Sequence, residues 1–383
     1  MIEKSRLFTH QANLEIVEWR QKRPLAELSD FVVDELPEVL TEIRHGNESV
    51  DTLTYHADSL ISAMDQDLVM GLIEQKGVHG LGGYYPFSHD RDLAGLDVKM
   101  LEAGVIHSGG IPSPRLSEAV SLFAESNNQP GVITYEEIIM GDVYGNPPTD
   151  PRLFTSGEVA RAETDFYRGH AHIDKNVRSI INQVTYAKFA IDMKGKDGID
   201  KAAQELARAT KFTDATLSDL DAFRSNLNPD DFNIFRQYLG THPVRELKGP
   251  SGAFTDTVPI LDLELAGEMM SDTYKQYLKD NIVYFPRKGR REILRAIQES
   301  EQGNSLMRLY NQVGQPSELR EPIKDLLDFV RSFRGRHYNA VKTQVPGALS
   351  GDLAGTGGEI HPKQFLLDRI KETKTIRDNL THE

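Results

Sequence analysis

Apolar residues recur along most of this chain at the spacing of helices. Over residues 13–43 and 50–75 they return every three or four positions, with Pro24 and Pro37 as interruptions. Ser113 followed by Pro114 reads as the start of a short helix through about Glu125. Further helices are expected near 157–194, 198–210, 216–225, 229–238, 258–284, 290–300, 303–312, 318–345 and 362–379. Lys76 to Asp97, with its glycines and histidines, reads as an irregular connection, and Gly131 to Glu137 as a short strand. Residues 141–156 are rich in Gly, Pro and Asp and make the best boundary. The pattern predicts an all-α fold, with a small, mostly helical domain over 1–150 and a large helical domain over 151–383.

Two histidines fall on apolar faces. In the helix expected at 318–345, the stripe is Ile323, Leu326, Leu327, Val330, Phe333, Val341 and Val345, and His337 lies on it. In the helix expected at 157–194, His170 shares a face with Phe166, Ile173, Val177, Ile181 and Val184. An inward-facing imidazole must pair its ring nitrogens or coordinate something, and spacing alone does not separate a packed core histidine from a ligand. His172 lies on the far side of a regular helix from His170. A non-haem metal site made of His170, His172 and Asp174 would need an extended backbone there.

Composition narrows the chemistry. The 383 residues contain no cysteine, which excludes disulfides, thiolate catalysis, iron–sulfur clusters and a thiolate-ligated haem. A transition metal would have to sit on His, Asp, Glu or a cofactor. The net charge of -14 argues against nucleic acid and anionic membranes as partners. The compact basic run Arg287-Lys288-Gly289-Arg290-Arg291 reads as a loop-to-helix junction. No signal-peptide core opens the chain, and no apolar run approaches the ~20 residues of a membrane span, so a cytoplasmic protein is expected. Two Gly-rich stretches, 249–255 and 355–359, lack the Gly-Lys-Ser/Thr of a phosphate loop. Their small residues permit close approach to a flat ligand.

Three blocks, in order, carry a resemblance. They are Phe232 to Leu239 (FNIFRQYL), Gly249 to Gly267 (GPSGAFTDTVPILDLELAG), and Ser332 to His337 (SFRGRH) followed by Gly355 to Gly358 (GTGG). Together they resemble the haem-dependent indoleamine/tryptophan 2,3-dioxygenase superfamily over roughly residues 150–380. The wording is closest to the bacterial branch that includes the pyrrolnitrin-pathway enzyme that rearranges chlorotryptophan. The resemblance implies a haem b whose iron is held by His337, with an open position for O2 opposite. It implies Asp262 and Arg334 as a supporting pair behind that histidine, with Arg334 reaching a haem propionate. Ser251, Gly252 and Ala253 would lie over the other haem face. His170 would stand there with Phe166, orienting a substrate N–H or the bound oxygen.

Arg236 would bind the carboxylate of an aromatic amino acid, and Thr356 would close over its ammonium. Asp231 departs from the family's aromatic residue next to the substrate and puts indole specificity in doubt. The implied activity is O2 insertion into tryptophan or a related aromatic amino acid. A rearrangement or mono-oxygenation in secondary metabolism, and a haem sensor or carrier without turnover, stay open, as does a homo-oligomer.

Overall fold

A computed structural model of the chain describes residues 25–64, 69, 89–139, 151–193, 195–345 and 362–381. Among them the regular structure is helical and no strand occurs, so the all-α expectation holds. Most of Lys76 to Asp97, residues 141–150 of the proposed boundary at 141–156, and the Gly-rich loop with Thr356 lie outside the described residues. No helix among the described residues is long and apolar enough to cross a membrane. The chain divides into two compact units: Met1–Thr164 with Ile234–Gly249, and Asp165–Asn233 with Pro250–Glu383.

In the first unit, α1 (Ala26–Asp30) passes through a π turn (Phe31–Glu35) into α2 (Leu36–His45), followed by α3 (Val50–Ala63), α4 (His89–His107), α5 (Pro114–Ser126) and α6 (Tyr135–Ile138). Helix α4 packs on α5, and α3 packs on both. Nearly every residue of α4 from Ala94 to Val105 is buried. That burial includes three charges, and each has a partner. Asp97 takes Arg152 and the Ser29 hydroxyl (2.7 Å), Lys99 takes Glu137 (2.6 Å), and Glu102 takes Arg245 and the Ser117 hydroxyl (2.9 Å). The described part of the expected irregular connection, from His89, is therefore helical.

The strand expected at 131–137 is corrected as well. Thr134 caps α6, its hydroxyl accepting from the Glu137 amide while the Glu137 carboxylate accepts from the Thr134 amide at 2.8 Å. This reciprocal capping box outweighs the β-branched pair Val132-Ile133.

The second unit is built from α7 (Gly157–Asp192, from Asp165 on), α8 (Lys196–Asn226), α9 (Pro229–Arg236, to Asn233), α10 (Thr257–Ala266), α11 (Asp272–Asp280), α12 (Arg287–Glu301), α13 (Leu306–Gln312), α14 (Ser317–Gln344) and α15 (Pro362–Thr381). Helix α8 runs unbroken where two helices were expected. Its Thr-rich middle stays helical because Thr213 and Thr216 turn their hydroxyls onto the carbonyls of Thr210 and Phe212 (2.7 and 2.6 Å). The helix expected at 258–284 breaks after Ala266. Gly267 lies against the Ser300 side chain of α12 with no room for a Cβ, and Ser271 caps α11. Helix α14 packs chiefly on α8 and α15, and α10 on α12 and α13. The basic run opens α12, with Arg290 donating to the carbonyls of Phe285 and Val283 (2.9 and 2.7 Å), as a loop-to-helix junction would.

Replacing Thr134 with Ala removes the cap of α6. The expected loss is about 1 kcal/mol of stability, read as a lower urea midpoint at unchanged m-value, with Thr134→Ser close to wild type.

Candidate functional site

Helices α7, α8 and α14 bring the two inward histidines to one region of the second unit. His170 lies on α7, and its Nδ1 is 2.9 Å from the Phe166 carbonyl one turn back. Phe223 of α8 stands edge-on to the His170 ring at 5.0 Å and covers Gly169, where it leaves no space for a Cβ. One turn along α14, Arg336 reaches the same stretch of α8, donating to the Leu217 carbonyl (3.3 Å) and pairing with Asp221. His337 follows it directly. The two imidazoles are close enough that a charge on His170 opposes one on His337. Burial pushes His337 down to about 4, with His170 adding to the effect, and burial also lowers His170. Both rings are neutral at pH 7.

His337 makes no hydrogen bond among the described residues. Both histidines are partly buried. The surroundings of His170 are aromatic. Phe166 lies 4.4 Å from His170, 5.4 Å from Phe223 and 5.2 Å from Phe232. Phe223 and Phe232 escape a periodicity reading because both fall near helix ends, where the face of a helix is poorly defined. Phe232 supplies an aromatic ring beside the position where this chain has Asp231, itself partly buried on α9.

The segment 251–257 approaches from another side. Ser251 is buried and caps a short 3-10 turn, its hydroxyl accepting from the Ala253 amide at 3.2 Å. A side chain at Gly252 would begin 3.9 Å from His170 Nε2, so this segment lies beside the His170 ring. Asp174, one turn after His170, anchors the segment by accepting from the hydroxyls of Thr255 and Thr257, both at 2.6 Å. Next to them Asp256 is fully buried and paired with Arg178, which also pairs with Glu292. Its Oδ1 has no hydrogen-bond partner, and burial raises its carboxyl to about 6 against the pull of Arg178. The Asp256 carboxylate occupies the place a Cβ at Gly289 would need, so only glycine lets α12 come this close.

Behind His337, Asp262 of α10 and Arg334 of α14 form the buried pair that the resemblance implies. Tyr274 donates to Asp262 Oδ2 at 3.0 Å, while Oδ1 is buried with no partner. Burial raises the Asp262 carboxyl, opposed first by Arg334. Asp262 makes no hydrogen bond to His337. The Arg334 guanidinium turns to Asp262, the Thr373 hydroxyl and the Arg369 carbonyl (3.2 Å). It therefore braces Asp262.

Other expected residues are placed differently. Arg236 belongs to the first unit with Ile234–Gly249, and burial lowers its pKa. Thr356 lies outside the described residues. The non-haem set fails on geometry. The backbone at 170–174 is helical, His172 is exposed, and Asp174 is committed to two threonines. No group of three or more metal-binding side chains occurs among the described residues.

Two outcomes follow from the buried carboxylates. Arg334→Met leaves Asp262 buried beside Tyr274 alone and should cost about 3–5 kcal/mol in urea unfolding, whereas Arg334→Met with Asp262→Leu should recover most of it. Asp256 binds its proton more tightly folded than unfolded, so its contribution to stability falls as pH rises from about 4 to about 6. Asp256→Asn should flatten that part of the stability–pH curve by on the order of 2 kcal/mol; an unchanged curve would refute the assignment.

No family model matches the chain, and no curated protein matches it. The chemistry of the site thus rests on its own residues: two neighbouring histidines, an aromatic wall and a buried ion pair.

Proposed function

We propose that the second unit binds haem b through His337 and that the protein is a haem-dependent oxygenase of tryptophan or a related aromatic amino acid. The observation that supports this is His337 itself, an imidazole that burial keeps neutral, that makes no side-chain hydrogen bond among the described residues and that lies near His170. A tetrapyrrole brings four nitrogens of its own, so an axial histidine is enough. The residues present fit that group. The aromatic wall of Phe166, Phe223 and Phe232 suits a flat apolar ring, and Gly252 leaves room for one.

The haem, when bound, supplies the reaction with O2. The chain's residues bind, orient and exclude water. Asp262 Oδ1, unpartnered and buried, is an acceptor available to a ligating histidine, directly or through water, and Arg334 and Tyr274 keep its charge in place. His170 carries its proton on Nδ1, because the Phe166 carbonyl can only accept, so Nε2 offers a lone pair. The neutral ring can accept a substrate N–H but cannot donate to an oxygen from that nitrogen. Of the two roles implied for His170, orienting a substrate N–H is the one the tautomer supports. The resemblance gives the substrate carboxylate to Arg236, and the acid at Asp231 suits a substrate more polar than a plain indole. A rearrangement or mono-oxygenation of a tryptophan derivative uses the same parts.

Titration of the protein with hemin should give a Soret band at one haem per chain, and His337→Ala should lose or shift it. An identical spectrum in that variant would sink the ligand assignment. Adding tryptophan to the ferric protein should perturb the spectrum. No response to tryptophan, with no N-formylkynurenine formed in air, would rule out tryptophan 2,3-dioxygenation.

A further inference from the structure

We infer that Asp174 is a positioning residue: through one carboxylate oxygen it holds both Thr255 and Thr257, and so fixes where Ser251 and Gly252 stand beside the His170 ring. What the site binds rests on the haem reading above; the clamp itself is drawn from the chain alone.

His170, Asp174 and Arg178 follow one another at four-residue intervals and form one ridge of α7. Two members of the ridge take hold of the same segment. Asp174 Oδ1 accepts from the Thr255 and Thr257 hydroxyls, both at 2.6 Å, and Arg178 pairs with Asp256 between them. Asp174, Thr255, Asp256 and Thr257 are all buried. The third member meets the start of the segment, where a side chain at Gly252 would begin 3.9 Å from His170 Nε2. The turn between Gly252 and Thr255 is closed. The Phe254 amide donates to the Ser251 carbonyl at 2.9 Å, and the Ala253 amide to the Ser251 hydroxyl at 3.2 Å. A move of the threonines is therefore passed on to Gly252.

Cohesion alone does not call for this arrangement. Burying a carboxylate is costly, and well-packed apolar residues of similar volume often serve stability as well or better. Helix α7 already buries Ile173, Val177, Ile180, Ile181 and Val184, and Lys188 ties it to Glu264 of α10 at 2.7 Å. What the clamp adds is direction. Two hydroxyls converge on a single oxygen and stand 2.9 Å from each other, which few placements of residues 255–257 satisfy. A fully engaged buried polar network specifies one arrangement where apolar packing tolerates several. If His170 orients a substrate N–H, the backbone beside its ring must keep one place, and Asp174 supplies that constraint from the same helix.

The test compares three forms of the full chain. Wild type is the first. Asp174→Asn keeps the accepting oxygen and drops the charge. Asp174→Val combined with Thr255→Val and Thr257→Val removes the clamp at similar volume. The site is read without added cofactor, by nuclear magnetic resonance of isotope-labelled histidine rings, with the His170 signal assigned by His170→Gln. The triple variant should match wild type in urea midpoint and helical circular dichroism, while its His170 signal shifts or splits. Asp174→Asn should keep a single His170 signal near the wild-type position. In hemin-loaded protein the triple variant should bind tryptophan about 5-fold more weakly, the scale of one misplaced hydrogen bond. An unchanged His170 signal in the triple variant overturns the inference, because the segment then keeps its place without the clamp. A signal displaced as far in Asp174→Asn also overturns it, since Asp174 would then act by charge and not by position. A triple variant that does not fold overturns it as well, because the clamp would then serve stability. If hemin does not bind wild type, the haem reading falls, and the His170 signal still decides the clamp.

Discussion

The second unit is organised around a helix that has no outward face. Every residue of α10 except Val258 is buried, and two of those residues are carboxylates, Asp262 and Glu264. A buried carboxylate without a partner would cost several kcal/mol, so each must draw a cation from elsewhere in the chain. Arg334 comes from α14 and Lys188 from α7, the latter 2.7 Å from Glu264. These two helices also carry His337 and His170. The electrostatic demand of α10 thus fixes the depth and rotation of both histidine helices. Arg334 lies three residues before His337 on the same helix, so locking its guanidinium between Asp262, Thr373 and the Arg369 carbonyl sets the direction in which His337 points.

The all-α class could be read from the sequence because apolar spacing survives in most helices. It failed where burial and charge coincide. In α4 the positions that look polar, Asp97, Lys99 and Glu102, are inside with partners from Arg152, Glu137 and Arg245. No local pattern reveals partners that far along the chain. The break after Ala266 depends on how closely α12 approaches Gly267, and the continuity of α8 on two threonine hydroxyls. Both are settled by atoms, not by propensity.

The site was legible in unequal parts. Periodicity placed His170 and His337 inward, and the resemblance paired Asp262 with Arg334 before any contact was known. Asp174 reads in sequence as one acid among many, yet it pins the segment that carries Gly252 next to His170. Phe223 and Phe232 pack on Phe166 beside His170 without belonging to any motif. Arg334 is buried among three protein acceptors, Asp262, Thr373 and the Arg369 carbonyl, none of which the sequence shows.

The interleaving of the two units along the chain has a consequence for synthesis. Residues 234–249 leave the second unit and belong to the first, and the second resumes at Pro250. As the chain leaves the ribosome, the first unit can complete itself once Gly249 has emerged. The stretch with His170, Phe223 and Phe232 must wait, its apolar face uncovered, until α14 is made much later. During that interval the half-made unit exposes an aromatic surface of the kind that chaperones hold. The surroundings of His170 are thus complete only after α14 has been made.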